Sequence, residues 1–275
     1  MDLNVSTEYE LHHYLFSQGL ISSETAWDLQ LGGQTNKVWR LRGKTDLICK
    51  LYVNTSSNPL FKNIPNDEYK CLLSLQGEGI VPDLFNFLDT PVGQVLLYYY
   101  IDGAIWSQDV EDVSELLCKI QSLTPPQELR VLSGVPDDIK NHGLDILNNV
   151  SGLHKNTLLE TCPEVSISEI DPVLLHTDVV AGNLIQGGAG LRLIDWQCPA
   201  LGDPIIDVVM FLSPGMHNIY GSKKLSLHDR EVFLTGLGHK LHERYNIIGP
   251  LYHWRLAAYC LWKFEQGAVQ YKEAA

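Results

Sequence analysis

The segment between residues 173 and 196 constrains the fold of this chain more than any other part of it. It contains three short apolar runs, at 173–175, 184–185 and 191–194, with a polar loop after the first and a glycine-rich turn before the last. Short apolar runs separated by turn residues predict a strand, a loop and a small hairpin. Asp178 and Asn183 therefore lie in a loop beside a strand end, and Asp195 directly follows the last strand.

These three polar side chains suit one kind of chemistry. Hard divalent cations take oxygen ligands, and Mg²⁺ in proteins commonly uses one or two carboxylates together with substrate phosphates. A further carboxylate in the same loop can orient a hydroxyl nucleophile. The set indicates phosphoryl transfer, and the alternative is that these side chains only hydrogen-bond to their own turns.

The spacing extends to a longer pattern. His176-x-Asp178-x-x-x-x-Asn183, followed by an apolar strand that ends in Asp195, has the spacing of a kinase catalytic loop and metal-binding segment. The chain resembles the aminoglycoside phosphotransferase and choline kinase-like group, small-molecule kinases with a protein-kinase-like fold. It departs from protein kinases in the threonine after the histidine and in the Trp-Gln after the last aspartate, and the small-molecule group tolerates both.

The resemblance implies roles for these residues and a pair of cofactors, ATP and Mg²⁺. Asp178 would accept or orient the proton of the acceptor hydroxyl, and Asn183 and Asp195 would hold Mg²⁺ between the phosphates. His176 would fix the loop rather than take part in the chemistry. Asp207, on the inward side of an apolar helix predicted to end at residue 212, would brace the loop through backbone hydrogen bonds.

A glycine-rich link joins the first two predicted strands, residues 27–31 and 37–42. Its exposed N–H groups could cradle phosphates, although a Gly-Gly hairpin turn is the simpler interpretation, and the link is neither a Walker loop nor a Gly-x-Gly-x-x-Gly loop. The resemblance implies that the link binds the nucleotide. Its residues are Gly32, Gly33, Gln34, Thr35 and Asn36.

Lys50 stands in the third predicted strand, residues 46–53, which is apolar on both faces. A lysine in such a strand needs a partner or a ligand. Glu68 lies on the apolar stripe of a helix predicted to begin near Pro65, so a Lys50–Glu68 pair is predicted. The resemblance implies a catalytic pair that holds the lysine against the phosphates; a purely structural ion pair, or snorkelling of both groups, is the alternative.

Two further predicted strands, 84–88 and 95–100, complete a five-stranded antiparallel sheet. The sequence Tyr-Ile-Asp-Gly then leaves the sheet, and the resemblance implies a hinge at about 99–104 whose backbone, at Tyr99 and Ile101, contacts adenine. We therefore predict an α+β, two-lobed protein-kinase-like fold. Its N-terminal nucleotide-binding lobe would span 1–100, and its larger, mainly helical catalytic and acceptor-binding lobe would span 101–275.

Helices are predicted from caps and from apolar spacing. A capping box at Thr7 and Glu10 would open the first helix, and another at Ser226 and Asp229 would open a late one. The predicted helical ranges are 7–18, 109–123, 140–159, 208–212, 226–245 and 251–271. Acidic residues in the first turn of 109–123 would complement the helix dipole or attract a cationic substrate.

The last predicted helix carries an aromatic stripe. Rings at helical spacing usually belong to the core, but rings can also hold a quaternary ammonium group through cation–π contacts, so both interpretations stay open. The stripe consists of Tyr252, Trp254, Tyr259, Trp262 and Phe264.

The net charge of −13, from 33 acidic and 20 basic residues, repels nucleic acid and anionic membranes and favours a cationic substrate. We expect neither nucleic acid nor membrane as a partner. The sequence has no long apolar run and no signal peptide, so we predict a cytoplasmic protein. Its six cysteines are widely separated and form no Cys-x-x-Cys pair, which predicts reduced thiols. The oligomeric state stays open.

The predicted function is ATP-dependent phosphorylation of a hydroxyl group on a small molecule. Candidate acceptors are a cationic amino alcohol such as choline, an aminoglycoside, thiamine, a sugar or a homoserine-like alcohol. A regulatory, nucleotide-binding pseudokinase is the alternative, although every polar group expected of a kinase is present. A metallohydrolase using His176 and Asp178 is disfavoured because such sites need several clustered histidines.

Overall fold

The computed structural model describes residues 3–30, 35–53, 58–222 and 224–274. The chain begins with helix α1 (Leu3–Ser17). Thr7 lies inside this helix, so the predicted capping box does not mark its start. The first strands are β1 (Ala26–Leu29), β2 (Lys37–Arg42) and β3 (Leu47–Leu51).

Helix α2 (Pro65–Ser74) follows, then β4 (Leu84–Thr90) and β5 (Gly93–Tyr99). The five strands form one antiparallel sheet, as predicted, and their order is β1-β2-β3-β5-β4. Successive side chains of a strand point to opposite faces, and β3 is buried on both. Leu47, Cys49 and Leu51 pack against α1, whereas Ile48 packs against α2. Lys50 therefore points to the α2 side of the sheet.

The rest of the chain is mainly helical. Its helices are α3 (Val110–Ser122), α4 (Pro136–Asn148), α5 (Leu153–Glu160), α6 (Ile205–Leu212), α7 (Pro214–Ile219), α8 (Leu227–Gly236) and α9 (His239–Glu265). Among the described residues, no helix is long and apolar enough to cross a membrane.

Several predicted helix boundaries in this part of the chain are wrong; for example, α4 begins at Pro136, α6 at Ile205, and α9 ends at Glu265. The range 140–159 is two helices, because the chain turns at Gly152 with φ 85°. The capping box of Ser226 and Asp229 is present, but its helix ends at Gly236, and Gly238, also with φ 85°, precedes α9. Helix α9 then begins twelve residues earlier than predicted and passes through Pro250. Packing of α9 against α4 and α6 offsets the hydrogen bond that the proline removes.

Five short strands connect these helices. Strand β6 (Gly103–Ile105) pairs with β8 (Leu184–Gly187), which pairs with β9 (Gly190–Leu193). Strand β7 (Val173–Leu175) pairs with β10 (Ala200–Gly202). At Gly103 a Cβ atom would lie 2.5 Å from the Gln186 carbonyl oxygen. The glycine of the Asp-Gly sequence is therefore required by the close approach of β6 to β8.

The buried apolar residues form two clusters. A small cluster fills the space between α1 and one face of the sheet. A larger one begins on the other face, with Ile48 and Leu96, and continues through the helices to α9. Tyr252 and Trp254 of the aromatic stripe are buried in this larger cluster.

Candidate active site

A cleft of about 460 Å³ lies between the sheet and the helices. The predicted site residues that line it are Thr35, Asn36, Lys50, Ile101, Asp178, Asn183 and Asp195. Glu68, His176 and Asp207 are buried behind this surface. Gly32, Gly33 and Gln34 lie outside the described residues. The Tyr99 side chain is 40% exposed and lies edge-on to Phe85. The predicted contact with adenine involves the backbone of Tyr99, so it stays a prediction.

Strand β3 and helix α2 together position a buried ionic cluster. Lys50 Nζ lies 2.5 Å from Glu68 Oε2 and also contacts Asp195 Oδ1. The Tyr52 hydroxyl donates to Glu68 Oε2 at 2.5 Å. Burial opposes the charge on Lys50, but the carboxylates of Asp195 and Glu68 outweigh it and raise the pKa of the ammonium. Lys50 is therefore a fixed cation that connects the sheet to the strand end at Asp195.

His176 joins two parts of the site through its ring. Its Nε2 lies 3.0 Å from the Ile194 carbonyl oxygen, and the Asp178 amide donates to its Nδ1 at 3.2 Å. Burial lowers the pKa of His176 to about 4, so the ring is neutral, with the proton on Nε2 and Nδ1 free to accept. The ring also packs edge-on against Trp196, with centroids 4.8 Å apart.

Asp207, in the first turn of α6, holds the backbone of the same loop. The amides of His176 and Thr177 donate to its two carboxylate oxygens at 3.0 and 2.7 Å. Burial raises the pKa of Asp207 to about 7, against the effect of these two donors. Thr177 has φ 68° and Asp195 has φ 65°, a left-handed conformation that is unfavourable for residues other than glycine.

Asp178 has the environment of a general base. Asp178 is 8% exposed. Asn183 Nδ2 donates to the backbone carbonyl oxygen of Asp178 at 2.9 Å and to its Oδ2 at 3.3 Å. Burial, followed by the nearby Asp195 carboxylate, raises the pKa of Asp178 to about 7. A carboxylate with this pKa can take a proton near neutral pH.

The oxygen donors around Asp178 fit a hard divalent cation. Because Asn183 uses its amide nitrogen to bond Asp178, its side-chain oxygen remains for a cation. The Asp195 carboxylate is one-third exposed in the cleft. Among the described residues, no group of three or more His, Cys, Asp or Glu side chains could hold a metal by itself. An ion here would therefore take its remaining ligands from phosphate oxygens and water, as Mg²⁺ commonly does.

Asn36 belongs to a buried amide network that the sequence did not predict. Its Nδ2 lies 3.0 Å from Asn63 Oδ1 and 2.9 Å from Gln197 Oε1, and Asn63 Nδ2 returns a bond to Asn36 Oδ1 at 2.8 Å. The network joins the end of the glycine-rich link to the start of α2 and to the segment after Asp195. In the sequence, only the position of Gln197 two residues after Asp195 points to this network.

Three tyrosines close the other end of the cleft. Tyr259 belongs to the predicted aromatic stripe. Tyr271 ends the range predicted as the last helix, but in the structure it follows the end of α9, and Tyr220 lies where no element was predicted. The negative charge of Asp178, followed by burial, raises the pKa of Tyr220. Lys263 also lines this end, with Nζ 5.8 Å from the centroid of the Tyr271 ring. Residues of the aromatic stripe thus belong to the hydrophobic core, and Tyr259 also lines the cleft.

The sheet carries a buried lysine–glutamate pair, and the loop brings two aspartates and an asparagine to the same cleft. Together these features are those of a kinase-like phosphotransferase. The model of the phosphotransferase enzyme family matches residues 30–245. The chain belongs to this family.

Solved structures share the fold at low identity. A choline/ethanolamine kinase family protein from Mesorhizobium loti is 15% identical with a TM-score of 0.64, over 97% of this chain and 87% of that one. A GDP complex of aminoglycoside 2'-phosphotransferase-IIIa is 12% identical with a TM-score of 0.65, over 96% and 98%. Spectinomycin phosphotransferase with ADP and spectinomycin is 16% identical with a TM-score of 0.58, over 87% and 82%. A search by sequence among curated proteins gives no match.

Proposed function

We propose that this phosphotransferase moves the γ-phosphate of ATP to a hydroxyl group of a small molecule. The observation that carries the proposal is the convergence of Lys50, Asp178, Asn183 and Asp195 on one cleft. A positively charged group, a base and two oxygen ligands are what phosphoryl transfer needs, since the protein mainly positions the reactants and stabilises charge.

Each residue has a separate task in this proposal. Lys50 neutralises phosphate oxygens and is held for this by Glu68. Asn183 and Asp195 would hold Mg²⁺, which when bound neutralises charge on the phosphates. Asp178 accepts or orients the proton of the acceptor hydroxyl, and its raised pKa keeps it a competent base near neutral pH. His176 and Asp207 keep the loop in place.

The nucleotide would lie against the sheet and the segment that follows it. Thr35 and Asn36 line this part of the cleft, as does Ile101, and we propose that the backbone at Tyr99 and Ile101 contacts the base. Residues 1–100 would then act as the nucleotide lobe and residues 101–275 as the catalytic and acceptor lobe. One relative is described with ADP and another with GDP, so GTP is the control donor. Use of ATP fits a cytoplasmic location.

We propose a cationic amino alcohol as the acceptor. Tyr220, Tyr259 and Tyr271 present rings beside Asp178, and ring faces attract ammonium groups. The names of the related structures, choline/ethanolamine kinase and aminoglycoside phosphotransferase, agree with amine-bearing acceptors. Lys263 lies at the edge of the same rings and opposes a cation there, so the ammonium group is expected on the side of the cleft away from Lys263.

An ADP-release screen tests the proposal. Purified protein with Mg-ATP or Mg-GTP is offered choline, ethanolamine, thiamine, aminoglycosides, homoserine and neutral sugars, with Asp178→Asn as the background control. For one class of acceptor we expect acceptor-dependent release of ADP from ATP, or of GDP if GTP is the donor, together with a phosphate ester of the acceptor. Nucleotide binding without release above the Asp178→Asn background for any acceptor would favour the pseudokinase alternative.

A further inference from the structure

A second, smaller cavity of about 40 Å³ lies behind the catalytic loop, enclosed by the 59–61 segment, α4, α6 and α9. Among the described residues its polar lining consists of Arg130, His142, Thr177, Tyr252 and Arg255, and it includes two arginines and no carboxylate. Such a lining is unusual in a protein with a net charge of −13. At about 40 Å³, against about 460 Å³ for the cleft, the cavity has room for a small ion or a few water molecules.

Arg255 is a buried cation in this cavity, and its Nε has no hydrogen-bond partner. It is 8% exposed. Among the described residues no carboxylate forms an ion pair with it. Its guanidinium lies 5.0 Å from the centroid of the Tyr252 ring, a contact that attracts the cation but does not neutralise it. An unpaired buried charge is strongly unfavourable.

Arg130 adds a second positive charge to the same cavity. Its guanidinium donates to the carbonyl oxygens of Leu60, Pro199 and Cys198, at 3.2, 3.3 and 2.8 Å. These are neutral acceptors, and within the described chain no carboxylate forms a salt bridge with Arg130. Burial lowers the pKa of Arg255, and Arg130 lowers it further. The Asp67 carboxylate acts on Arg130 only through its charge, so within the described chain the two arginines line one cavity without a carboxylate in an ion pair with either.

We infer that this cavity binds a small inorganic anion of the size of chloride, held between Arg130 and Arg255. The Tyr252 hydroxyl, also buried without a partner, supplies a further donor. The site adjoins the catalytic loop through one shared group, since the Cys198 carbonyl accepts from both Arg130 and the Thr177 hydroxyl, the latter at 2.7 Å. The anion thus stabilises the packing behind Asp178 and takes no part in phosphoryl transfer.

The test uses the full chain, dialysed into sodium gluconate, with chloride replacing gluconate at constant ionic strength. We expect the Tm to rise and saturate, by about 2 °C at ten times Kd for a chain of this size. Arg255→Met should lose this response, and in gluconate its Tm should equal or exceed that of the wild type. Arg42→Met, which removes an exposed arginine paired with Asp28, is the matched control and should keep the response.

A crystal soaked in bromide gives a measurement that does not depend on any variant. Anomalous scattering should place bromide between Arg130 and Arg255. Equal Tm values in chloride and gluconate would show that the cavity holds water only, and that result overturns the inference. A chloride response that persists in Arg255→Met, or bromide absent from this cavity, overturns it as well.

Discussion

Lys50 illustrates how a single residue ties this site together. Its ammonium group is buried, and it contacts both Glu68 on α2 and Asp195, which follows β9. A buried ion pair contributes little to net stability, but breaking it by removing one partner costs about 3–5 kcal/mol, because the other charge is left unpaired. The Lys50–Glu68 pair should therefore behave as a unit in both folding and catalysis.

We expect Lys50→Ala and Glu68→Ala each to lower kcat/KM strongly, and the double variant to lose much less than the sum of the two losses. Groups that act together give non-additive effects. The comparison is a double-mutant cycle on kcat/KM. The exposed pair Lys70–Glu128, 2.9 Å apart, is the control and should give values near those of the wild type. Additive losses for Lys50 and Glu68 would show that their side chains act independently.

The two aspartates that we propose as general base and metal ligand should differ in what they bind. Asp178→Asn should lose turnover by a factor of about 10²–10⁴ and still bind Mg-ATP. Asp195→Asn should lose turnover and also much of the magnesium-dependent affinity for the nucleotide. At 100 times Kd, Mg-ATP should raise the Tm of the wild type and of Asp178→Asn by about 5 °C.

The same thermal-shift experiment contains its control, because EDTA removes the metal. Asp195→Asn should show a smaller rise, with little difference between magnesium and EDTA. If Asp178→Asn is instead the variant that loses the magnesium-dependent rise, the base and the metal ligand have been exchanged in our assignment.

The pKa of Asp178 predicts opposite effects of pH on rate and on stability. Below about pH 7 the base is protonated, so kcat/KM should rise with pH and level off above that value. The folded state raises this pKa above its ordinary 3.8 and so binds the proton more tightly than the unfolded state. The stability that protonation provides is lost as pH rises through 7. Asp178→Asn should therefore have a higher Tm than the wild type at pH 8, but not at pH 4. A lower Tm for this variant at pH 8 would contradict the raised pKa.

For single residues, the sequence predicted that Lys50, Asp178, Asn183 and Asp195 share one cleft. The fixed spacing of the loop residues and the charge in an apolar strand can both be recognised in the sequence itself. It did not predict Tyr52 or the amide network around Asn36. Those contacts join segments that are distant in sequence, and no local pattern marks them.

At the scale of elements, the five-stranded sheet, β7 and the β8–β9 hairpin followed from apolar runs and turn residues, whereas the strand order, β6 and β10 did not. A three-residue strand such as β6 is too short for any periodicity, and its position depends on the partner β8. Helix boundaries failed for a different reason. The start of α9 and its passage through Pro250 are decided by packing against α4 and α6, whereas local propensity favours a break there.

The closest contact between α4 and α9 provides a test of this packing. At Gly143 a Cβ atom would lie 2.2 Å from Cζ3 of Trp254. We expect Gly143→Ala to destabilise the protein by about 1–3 kcal/mol through overpacking, measured by urea unfolding. Gly188→Ala is the control, because a Cβ there meets nothing within 4 Å. Equal stability of the two variants would mean that the helices do not pack this closely.

At the scale of the whole molecule, the net charge of −13 attracts cations over long distances, while Lys263 repels them near the acceptor end of the cleft. For a cationic acceptor, KM should therefore rise with ionic strength, and a neutral analogue should show little change.

Lys263→Met should lower the KM of a cationic acceptor about three- to tenfold, since it removes one nearby like charge. Steady-state kinetics at fixed ionic strength measures this. Lys240→Met, an exposed position earlier in the same helix, is the control and should leave KM unchanged. A higher KM for Lys263→Met would point to an acceptor that carries an anionic group beside its hydroxyl.

The left-handed backbone at Thr177 and Asp195 has a consequence for how this protein can change. Each such residue costs of order 1–3 kcal/mol, and glycine would relieve that cost. Yet glycine at 177 would remove the hydroxyl that bonds the Cys198 carbonyl, and glycine at 195 would remove the carboxylate beside Lys50. A stabilising glycine at either position would therefore remove a contact of the loop or of Lys50, so variants with higher stability are expected to carry their changes elsewhere in the chain.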